Sequence, residues 1–225
     1  MIVVKRGKEP NSLLKFRKEN PEVDYETDMS TEVLKDIREQ MWEEQRGLCA
    51  YCMKKIKDPS VVRIEHCRPR HPQDEQEYDK KATLDFKWML GVCYGNSLVR
   101  GVKPEDKTCD AHRGNTELTV NPFDEMSVRK IKYKADGSIY SDDAEINKDV
   151  TETLNLNCQA LSLPQTRKNV LMAEQNRIMK KCKGKSQEAF MHELERTYAR
   201  LVDDGNLTPY CGIIISWLES KLNIS

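Results

Sequence analysis

The chain has no excess of charge of either sign and no long apolar run. Its 225 residues include 37 lysines and arginines and 37 aspartates and glutamates, so the formal net charge at pH 7 is zero. Such a chain does not attract nucleic acid through its whole surface, and any phosphate contact has to come from a local basic patch. Its apolar runs, such as Ile213 to Ile215, are far too short to cross a bilayer.

A secretory signal and internal repeats are also missing from the sequence. Eight cysteines without a secretory signal favour a cytoplasmic, reducing compartment, where spaced cysteines are more often metal ligands than disulfides. The length predicts one large domain, or a small catalytic core with a helical extension.

Local charge is more informative than the total. Residues 5–18 and 54–70 are each rich in lysine and arginine, whereas residues 136–152 are acidic. The second basic segment contains the pair Glu65-His66, so a candidate site lies in a stretch that can contact phosphate.

In the N-terminal part, residues 1–29 are predicted to be irregular, with Pro10 among the breakers. A helix is predicted from Ser30 or Thr31 to about Arg46. Its buried face is predicted from apolar residues at a spacing of four, namely Val33, Ile37 and Met41.

Two short strands, at residues 54–57 and 61–64, are predicted to pair through a turn at Asp58-Pro59-Ser60. This pairing places Glu65 and His66 at the end of the second strand. Residues 68–81 are predicted to be a loop, and residues 83–93 a short helix that leads to Cys93.

The C-terminal part is predicted to contain one hairpin and then helices. Ala135-Asp136-Gly137 has the composition of a hairpin turn. From about residue 151 the pattern is helical, and Thr208-Pro209 is predicted to open the last helix. One helical face is predicted to contain Phe190, Leu194, Tyr198 and Leu201.

Taken together, these patterns predict an α+β fold with three parts. They are an N-terminal arm and helix (residues 1–46), a core (residues 47–135) and a helical region (residues 136–225).

Four cysteines have a spacing that predicts a zinc site. Cys49 and Cys52 form a C-x2-C knuckle, and Cys93 and Cys109 are the best candidates for the other two ligands of a tetrahedral ion. His112 is an alternative to Cys109. The remaining cysteines are expected to be small buried side chains, and they are Cys67, Cys158, Cys182 and Cys211.

Glu65 and His66 are candidates for phosphodiester hydrolysis, which needs a base for water and a cation for the departing oxygen. His66 can be the base. Glu65 and Asp110 can hold a hard cation through oxygen. His112 can bind a softer metal or contact phosphate, and Asn96 can orient His66 or bind the metal.

The order of these motifs resembles the HNH (ββα-metal) endonuclease family. The resemblance covers residues 47–123 and consists of C-A-Y-C, E-H-C-R-P, a lone Cys93 and C-D-A-H-R-G. Arg113 stands where the family ending has lysine, and the family's middle asparagine is missing near Trp88. In detail the chain is similar to the HNH subunit of Septu-type anti-phage systems, also found in some retrons, which share Asn121-Pro122-Phe123 and a helical tail.

This resemblance implies a zinc-stapled ββα-metal core, an N-terminal helix and a C-terminal helical region. His66 would activate water, and Mg²⁺ or Mn²⁺ would be held by Glu65 with Asp110 or His112. Zn²⁺ would be structural. The implied phosphate contacts are Arg63, Arg68, Arg70 and Arg113.

The resemblance further implies an ATPase partner of the ATP-binding-cassette type, docked on the region from about residue 151 to 225. Nucleic acid would be the substrate, with DNA favoured and RNA, including tRNA, as the alternative. Two competing hypotheses remain. One is a non-enzymatic zinc module that binds nucleic acid or protein, and the other is a degenerate HNH fold kept as an assembly subunit.

Overall fold

The computed structural model describes residues 1–26, 29–70, 81–202 and 207–224 of the chain. Helices combine with two small antiparallel sheets, which confirms the α+β prediction. The helices are α1 (Asn11–Glu19), α2 (Thr31–Glu44), α3 (Asp110–Arg113), α4 (Glu125–Arg129), α5 (Ala144–Lys148), α6 (Leu163–Cys182), α7 (Gln187–Val202) and α8 (Gly212–Leu222). The strands are β1 (Arg63–His66), β2 (Met89–Val92), β3 (Ile131–Tyr133) and β4 (Ile139–Ser141).

Helix α1 shows that the prediction of an irregular N-terminal segment was wrong. The helix begins directly after Pro10, whose carbonyl accepts a hydrogen bond from the backbone N–H of Leu14 at 3.1 Å. Proline has no N–H to lose at a helix start, so here it opens the helix and does not break it. Leu13 is fully buried and belongs to the same apolar cluster as the core face of α2.

Helix α2 confirms the predicted helix and its buried face. The Ser30 hydroxyl accepts a hydrogen bond from the backbone N–H of Val33 at 3.2 Å and caps the helix. Val33, Ile37 and Met41 are buried. The helix ends at Glu44, two residues before the predicted end.

The strand that carries the candidate site pairs with a distant segment. Strand β1 is antiparallel to β2, with Arg63 opposite Val92 and His66 opposite Met89. The predicted local hairpin was therefore wrong, because residues 59–61 form a 3₁₀ turn and Lys55 makes only an isolated bridge to Leu48. The predicted position of Glu65 and His66 at the end of a strand is confirmed.

The predicted helix over residues 83–93 was also wrong. Residues 86–88 form a 3₁₀ turn, and Met89–Val92 then form β2, all four of whose residues are buried. A short, continuously apolar run fits a strand covered on both faces as well as it fits a helix, so periodicity cannot separate the two.

The predicted hairpin turn before the C-terminal helices is confirmed. Strands β3 and β4 pair antiparallel, and Gly137 occupies the turn with a φ of 87°. Arg167 of α6 is buried and donates hydrogen bonds to the Gly137 carbonyl at 2.6 Å, the Leu156 carbonyl at 2.9 Å and Asn157 Oδ1 at 3.0 Å. One guanidinium thus fastens the hairpin and the segment before α6 to that helix.

Two apolar clusters organise the interior. The first lies around α1, α2, β2 and the β3–β4 hairpin, and the second is formed mainly by α6, α7 and α8. The predicted α7 face contributes to the second cluster, in which Leu194 and Leu201 are fully buried. Helix α8 begins at Gly212, after the predicted opening at Thr208-Pro209.

The second cluster also contains Leu48 and Met53, which flank the C-x2-C knuckle. The Met53 carbonyl accepts a hydrogen bond from the backbone N–H of Tyr210 at 3.1 Å. Contacts therefore cross between the predicted core and helical region, whose division at residue 136 stays a prediction. Among the helices that the structure describes, none is both long and apolar enough to span a membrane.

The bonds of Arg167 lead to a stability prediction. We expect Arg167→Met to lower the free energy of unfolding by about 3 kcal/mol, because three acceptors lose a charged donor. Lys180→Met, at an exposed position of the same helix, is the control and should change it by less than about 0.5 kcal/mol. Urea unfolding followed by circular dichroism measures both. Equal effects of the two variants would contradict the fastening role.

Candidate metal centre and adjoining carboxylate site

The four predicted zinc ligands lie together. The sulfur atoms of Cys49, Cys52, Cys93 and Cys109 are all within 4.8 Å of one another. Three Sγ–Sγ distances are 3.9 Å (Cys49–Cys109), 3.7 Å (Cys52–Cys93) and 3.8 Å (Cys93–Cys109). Tetrahedral coordination with metal–sulfur bonds of about 2.3 Å separates the sulfurs by ~3.8 Å, so the cluster can hold a metal ion.

A tight backbone turn brings the first two thiols to one point. The Cys49 N–H donates to the Lys54 carbonyl at 2.9 Å, and the Met53 N–H donates to the Cys49 carbonyl at 3.0 Å. The knuckle is docked on β2 by the Ala50 N–H, which donates to the Gly91 carbonyl at 3.1 Å. Because Gly91 lies two residues before Cys93, this bond also sets the distance to the third ligand.

Gln45 is a positioning residue that the sequence analysis did not identify. Its side chain is buried and its Nε2 donates to the carbonyls of Leu48 at 2.8 Å and Gly91 at 2.6 Å, while its Oε1 accepts from the Gly91 N–H at 2.8 Å. It therefore connects the end of α2, the knuckle and β2. In sequence, a polar residue directly after an amphipathic helix looks like an ordinary helix end. Only the burial of Gln45 in the structure reveals its positioning role.

The long loop between Cys93 and Cys109 is closed at its base. The Thr108 N–H donates to the Gly95 carbonyl at 3.0 Å, and a side chain at Gly95 would place its Cβ 1.9 Å from the Thr108 carbonyl oxygen. The Cys109 N–H donates to the Leu154 carbonyl at 2.9 Å. The loop thereby returns to the cluster, as the prediction of a shared site required.

The cluster includes Cys109, the first of the two candidates for the fourth ligand. The alternative, His112, has its Nδ1 3.0 Å from the Thr153 carbonyl oxygen. In the described part of the chain, the four cysteines are the one group of three or more His, Cys, Asp or Glu residues with ligand atoms close enough to share an ion. Glu65, Asp110 and His112 do not form a second such group.

Glu65 is buried beside a buried arginine. Its Oε1 accepts a hydrogen bond from the Tyr51 hydroxyl at 3.0 Å and forms an ion pair with Nη1 of Arg113. Burial raises the pKa of Glu65 to about 8, the Arg113 guanidinium opposes this shift, and the charge of Asp110 adds to it. Two carboxyl groups thus share one small region, the arrangement that a divalent cation relieves.

Asp110 is the first residue of α3 and forms an ion pair with Arg63 of β1. Its charge acts on Glu65 and also on His66. The structure therefore brings Asp110, Glu65 and His66 into one neighbourhood.

His66 is buried, with an exposed fraction of 6%. Its Nε2 lies 2.8 Å from the Thr83 carbonyl oxygen, and because a carbonyl only accepts, Nε2 carries the proton and Nδ1 keeps its lone pair. The ring also packs edge-on against Tyr25, with 4.5 Å between the centroids. Burial lowers the pKa of His66 to about 4, so the imidazole is neutral at pH 7.

Asn96 lies in the loop between the third and fourth cysteines and has a φ of 72°. Its Nδ2 donates to the Asp106 carbonyl at 3.1 Å. This bond holds the loop, and it gives Asn96 a structural role besides the predicted catalytic one.

The four predicted phosphate-binding arginines differ in their surroundings. Arg113 is buried and donates to Glu65, to the carbonyls of His66 at 2.9 Å and Cys67 at 2.8 Å, and to that of Thr116 at 2.7 Å. Arg113 therefore holds the Glu65 side chain and the backbone of His66 and Cys67 in place from the protein interior.

The other three arginines are less enclosed. Arg63 pairs with Asp110, and Arg70 pairs with Glu26 at 2.8 Å. The guanidinium of Arg68 stacks over the Trp88 ring at 3.9 Å. Trp88 thus orients Arg68, which lies two residues after the candidate base.

Tyr51 and Thr83 are further contacts of the site that the sequence analysis missed. Tyr51 lies inside the C-A-Y-C knuckle and is fully buried, so the knuckle delivers a hydroxyl to Glu65 as well as two thiols to the cluster. An aromatic residue between two metal ligands was a signal for this. Thr83 acts through its carbonyl, which no sequence pattern marks.

The depressed pKa of His66 predicts a pH effect on stability. The imidazole has a pKa of about 4 when folded and about 6.5 when unfolded, so its contribution is complete above pH 6.5 and is lost as the pH falls towards 4. Between pH 7 and 4.5 the free energy of unfolding of the wild type should fall by about 2 kcal/mol more than that of His66→Gln. Urea unfolding at several pH values measures this difference, and parallel curves would contradict a buried neutral imidazole.

Two comparisons with known proteins bear on the identity of the chain. A scan against models of protein families gives no match, and a search of curated proteins gives none either. The assignment of a function therefore rests on the residues and their arrangement.

Proposed function

We propose that the chain is a metal-dependent endonuclease of the HNH type that hydrolyses phosphodiester bonds of nucleic acid. The observation that carries the proposal is the neighbourhood of His66, Glu65 and Asp110 on an antiparallel strand pair followed by a short helix. This is a ββα order, with a neutral imidazole and two carboxyl groups at one place. The order of motifs along the chain supports the same family.

Structural zinc is the ion that best fits the four-thiol cluster. Four buried or half-buried sulfurs at tetrahedral separations leave no open position for a substrate, which is typical of a structural site. The cluster joins the knuckle, the end of β2 and the start of α3, so zinc would hold the elements that carry the candidate base and carboxylates.

Glu65 and Asp110 would hold the catalytic Mg²⁺ or Mn²⁺, with His112 as the implied alternative ligand. The closeness of the Glu65 and Asp110 carboxyl groups supports this assignment, because a divalent cation relieves the repulsion between two adjacent carboxylates. When bound, the ion would supply positive charge for the departing 3′-oxygen.

His66 would act as the general base. Its Nε2 proton is held by the Thr83 carbonyl, so Nδ1 is the nitrogen that would take a proton from water. Arg63, Arg68 and Arg70 lie on or just after β1 and would contact the phosphates. Arg113 would keep Glu65 and the backbone of His66 in place.

We further infer, from the order of motifs, a role as effector of an anti-phage complex with an ATPase partner. DNA is the favoured substrate, and RNA, including tRNA, is the alternative. Helices α6–α8 would be the docking region for the partner.

A non-catalytic zinc-binding subunit is the second candidate. One observation favours it: both carboxylates of the proposed metal site already have a guanidinium partner, Arg113 for Glu65 and Arg63 for Asp110. Such a subunit would bind nucleic acid or protein through the same fold. The two candidates differ in whether His66 is needed.

The zinc assignment predicts metal content and its loss. Purified protein should contain about one zinc per chain, and Cys93→Ser should lose it and unfold at a lower temperature. Cys158→Ser, at a buried cysteine outside the cluster, is the matched control and should keep its zinc. Native mass spectrometry and metal analysis give the readout. Full zinc content in the Cys93 variant would argue against the site.

The nuclease assignment predicts metal-dependent cutting that needs His66. Wild type with Mg²⁺ or Mn²⁺ should cleave plasmid DNA or total tRNA, and His66→Ala should cut about 10²- to 10⁴-fold more slowly. EDTA should stop the reaction. His192→Ala, at an exposed histidine of α7, is the control and should cut at the wild-type rate.

The cleavage assay should be repeated with any ATPase encoded beside the gene, since an effector can depend on its partner. No cutting by folded, zinc-loaded protein under any of these conditions would favour the non-catalytic subunit. Cutting unchanged in His66→Ala would do so as well, once a contaminating nuclease is excluded by a second purification.

A further inference from the structure

A cavity of about 520 Å³ opens between helices α6 and α7, away from the residues of the proposed nuclease site. Its volume lies in the range of small-molecule sites. The described residues that line it are Glu174 and Arg177 from α6 and Arg196, Thr197, Ala199 and Arg200 from α7. Three guanidinium groups and one carboxylate thus surround the space.

Two carboxylates hold these arginines in place. Glu174 Oε1 lies 2.9 Å from Nη2 of both Arg177 and Arg200. Glu193 is buried, and its oxygens lie 3.1 Å from Arg177 Nη1 and 3.2 Å from Arg196 Nη2. The guanidiniums are therefore oriented before any ligand arrives, which lowers the entropy cost of binding.

Arg177 is the most constrained of the three. Its Nε and Nη2 donate to Glu174, its Nη1 donates to Glu193, and its Nη2 also donates to the Thr197 hydroxyl at 2.9 Å. Its guanidinium therefore provides a fixed positive charge at the wall of the cavity.

The cavity carries more positive than negative charge. Lys181 also pairs with Glu193, at 2.7 Å, so four cations meet two carboxylates across α6 and α7. Arg196 and Arg200 are four residues apart on α7, a spacing at which like charges destabilise a helix. An anion between them would remove that repulsion.

Arg196 and Arg200 keep donors for such an anion. In the part of the chain that the structure describes, each pairs with its carboxylate through Nη2, so Nε and Nη1 of both side chains stay available. Their side chains are 59% and 35% exposed, which makes them accessible from the solvent. Guanidinium groups present paired N–H donors that match the oxygens of a phosphate.

We propose that this cavity is a phosphate-binding site, in which Arg196 and Arg200 clamp the phosphate above Arg177. No aromatic residue is among the described residues that line it, so a base has no ring on which to stack, and the site recognises the phosphate itself. The phosphate belongs either to a free phosphorylated compound or to a nucleic-acid backbone. The proposal does not depend on the nuclease assignment.

Titration calorimetry with two probes tests the proposal, at low salt and without added divalent metal. Inorganic pyrophosphate represents free phosphate compounds, and a short single-stranded oligothymidylate represents the backbone. Wild type should bind at least one probe. Arg196→Gln/Arg200→Gln should raise its Kd at least about tenfold, since two charged donors are lost.

A double variant with the same change in charge is the control. Arg129→Gln/Lys132→Gln removes two exposed cations, one on α4 and one on β3, that are paired with Glu125 and Asp142. It should bind as the wild type does if the α6–α7 cavity is the site. Circular dichroism and thermal unfolding confirm that both variants are folded.

Binding of pyrophosphate that is lost only in the cavity variant supports the proposal with a free phosphate compound as the ligand. Binding of the oligothymidylate alone, lost in the same variant, supports it with the nucleic-acid backbone as the ligand. The proposal is overturned if wild type binds neither probe, or if the cavity variant binds as tightly as the control.

Discussion

The convergence of four thiols is the constraint on which the rest of the candidate site depends. They come from a knuckle, from the residue after β2 and from the residue before α3, three segments that are distant in sequence. Zinc binds cysteine as the thiolate, so metal binding at this cluster would be coupled to loss of the thiol protons and to folding. The sheet itself is only two short strands, which are marginal alone.

Around this cluster, charge is balanced in pairs and not spread over a surface. Arg113 forms an ion pair with Glu65 in the interior, and Arg63 forms an ion pair with Asp110 nearer the solvent. Burying a carboxylate without such a partner would cost several kcal/mol. The zero net charge of the chain is thus compatible with these local ion pairs. Arg113 also donates hydrogen bonds to the backbone at the end of β1 and just after it, whereas Arg63 stays partly exposed.

Sequence reasoning predicted elements whose signal is local. The cap and apolar face of α2, the β3–β4 turn and the cysteine cluster each follow from spacing within a short stretch or from a strong chemical preference.

Sequence reasoning failed where the partner that decides the local structure is distant in sequence. Strand β1 pairs with β2 across more than twenty residues of chain, and the neighbouring segment at residue 55 offered an equally plausible partner. For Arg113 the family resemblance implied a phosphate contact, which stays a prediction. Its burial against Glu65 depends on how three segments pack together, and no spacing rule contains that information.

Leu48 and Met53 give the knuckle a second set of neighbours. They are buried among the residues of α6, α7 and α8. Cys49 and Cys52, which lie between them in sequence, belong to the other apolar cluster, around α1, α2 and β2. The same backbone turn is thus part of two interiors. An ion held by the four thiols would therefore also stabilise the packing of the helices against this turn, and by linkage a change that loosens those helices would weaken ion binding. One backbone turn would in this way couple the thermodynamics of the metal centre to those of the C-terminal helices.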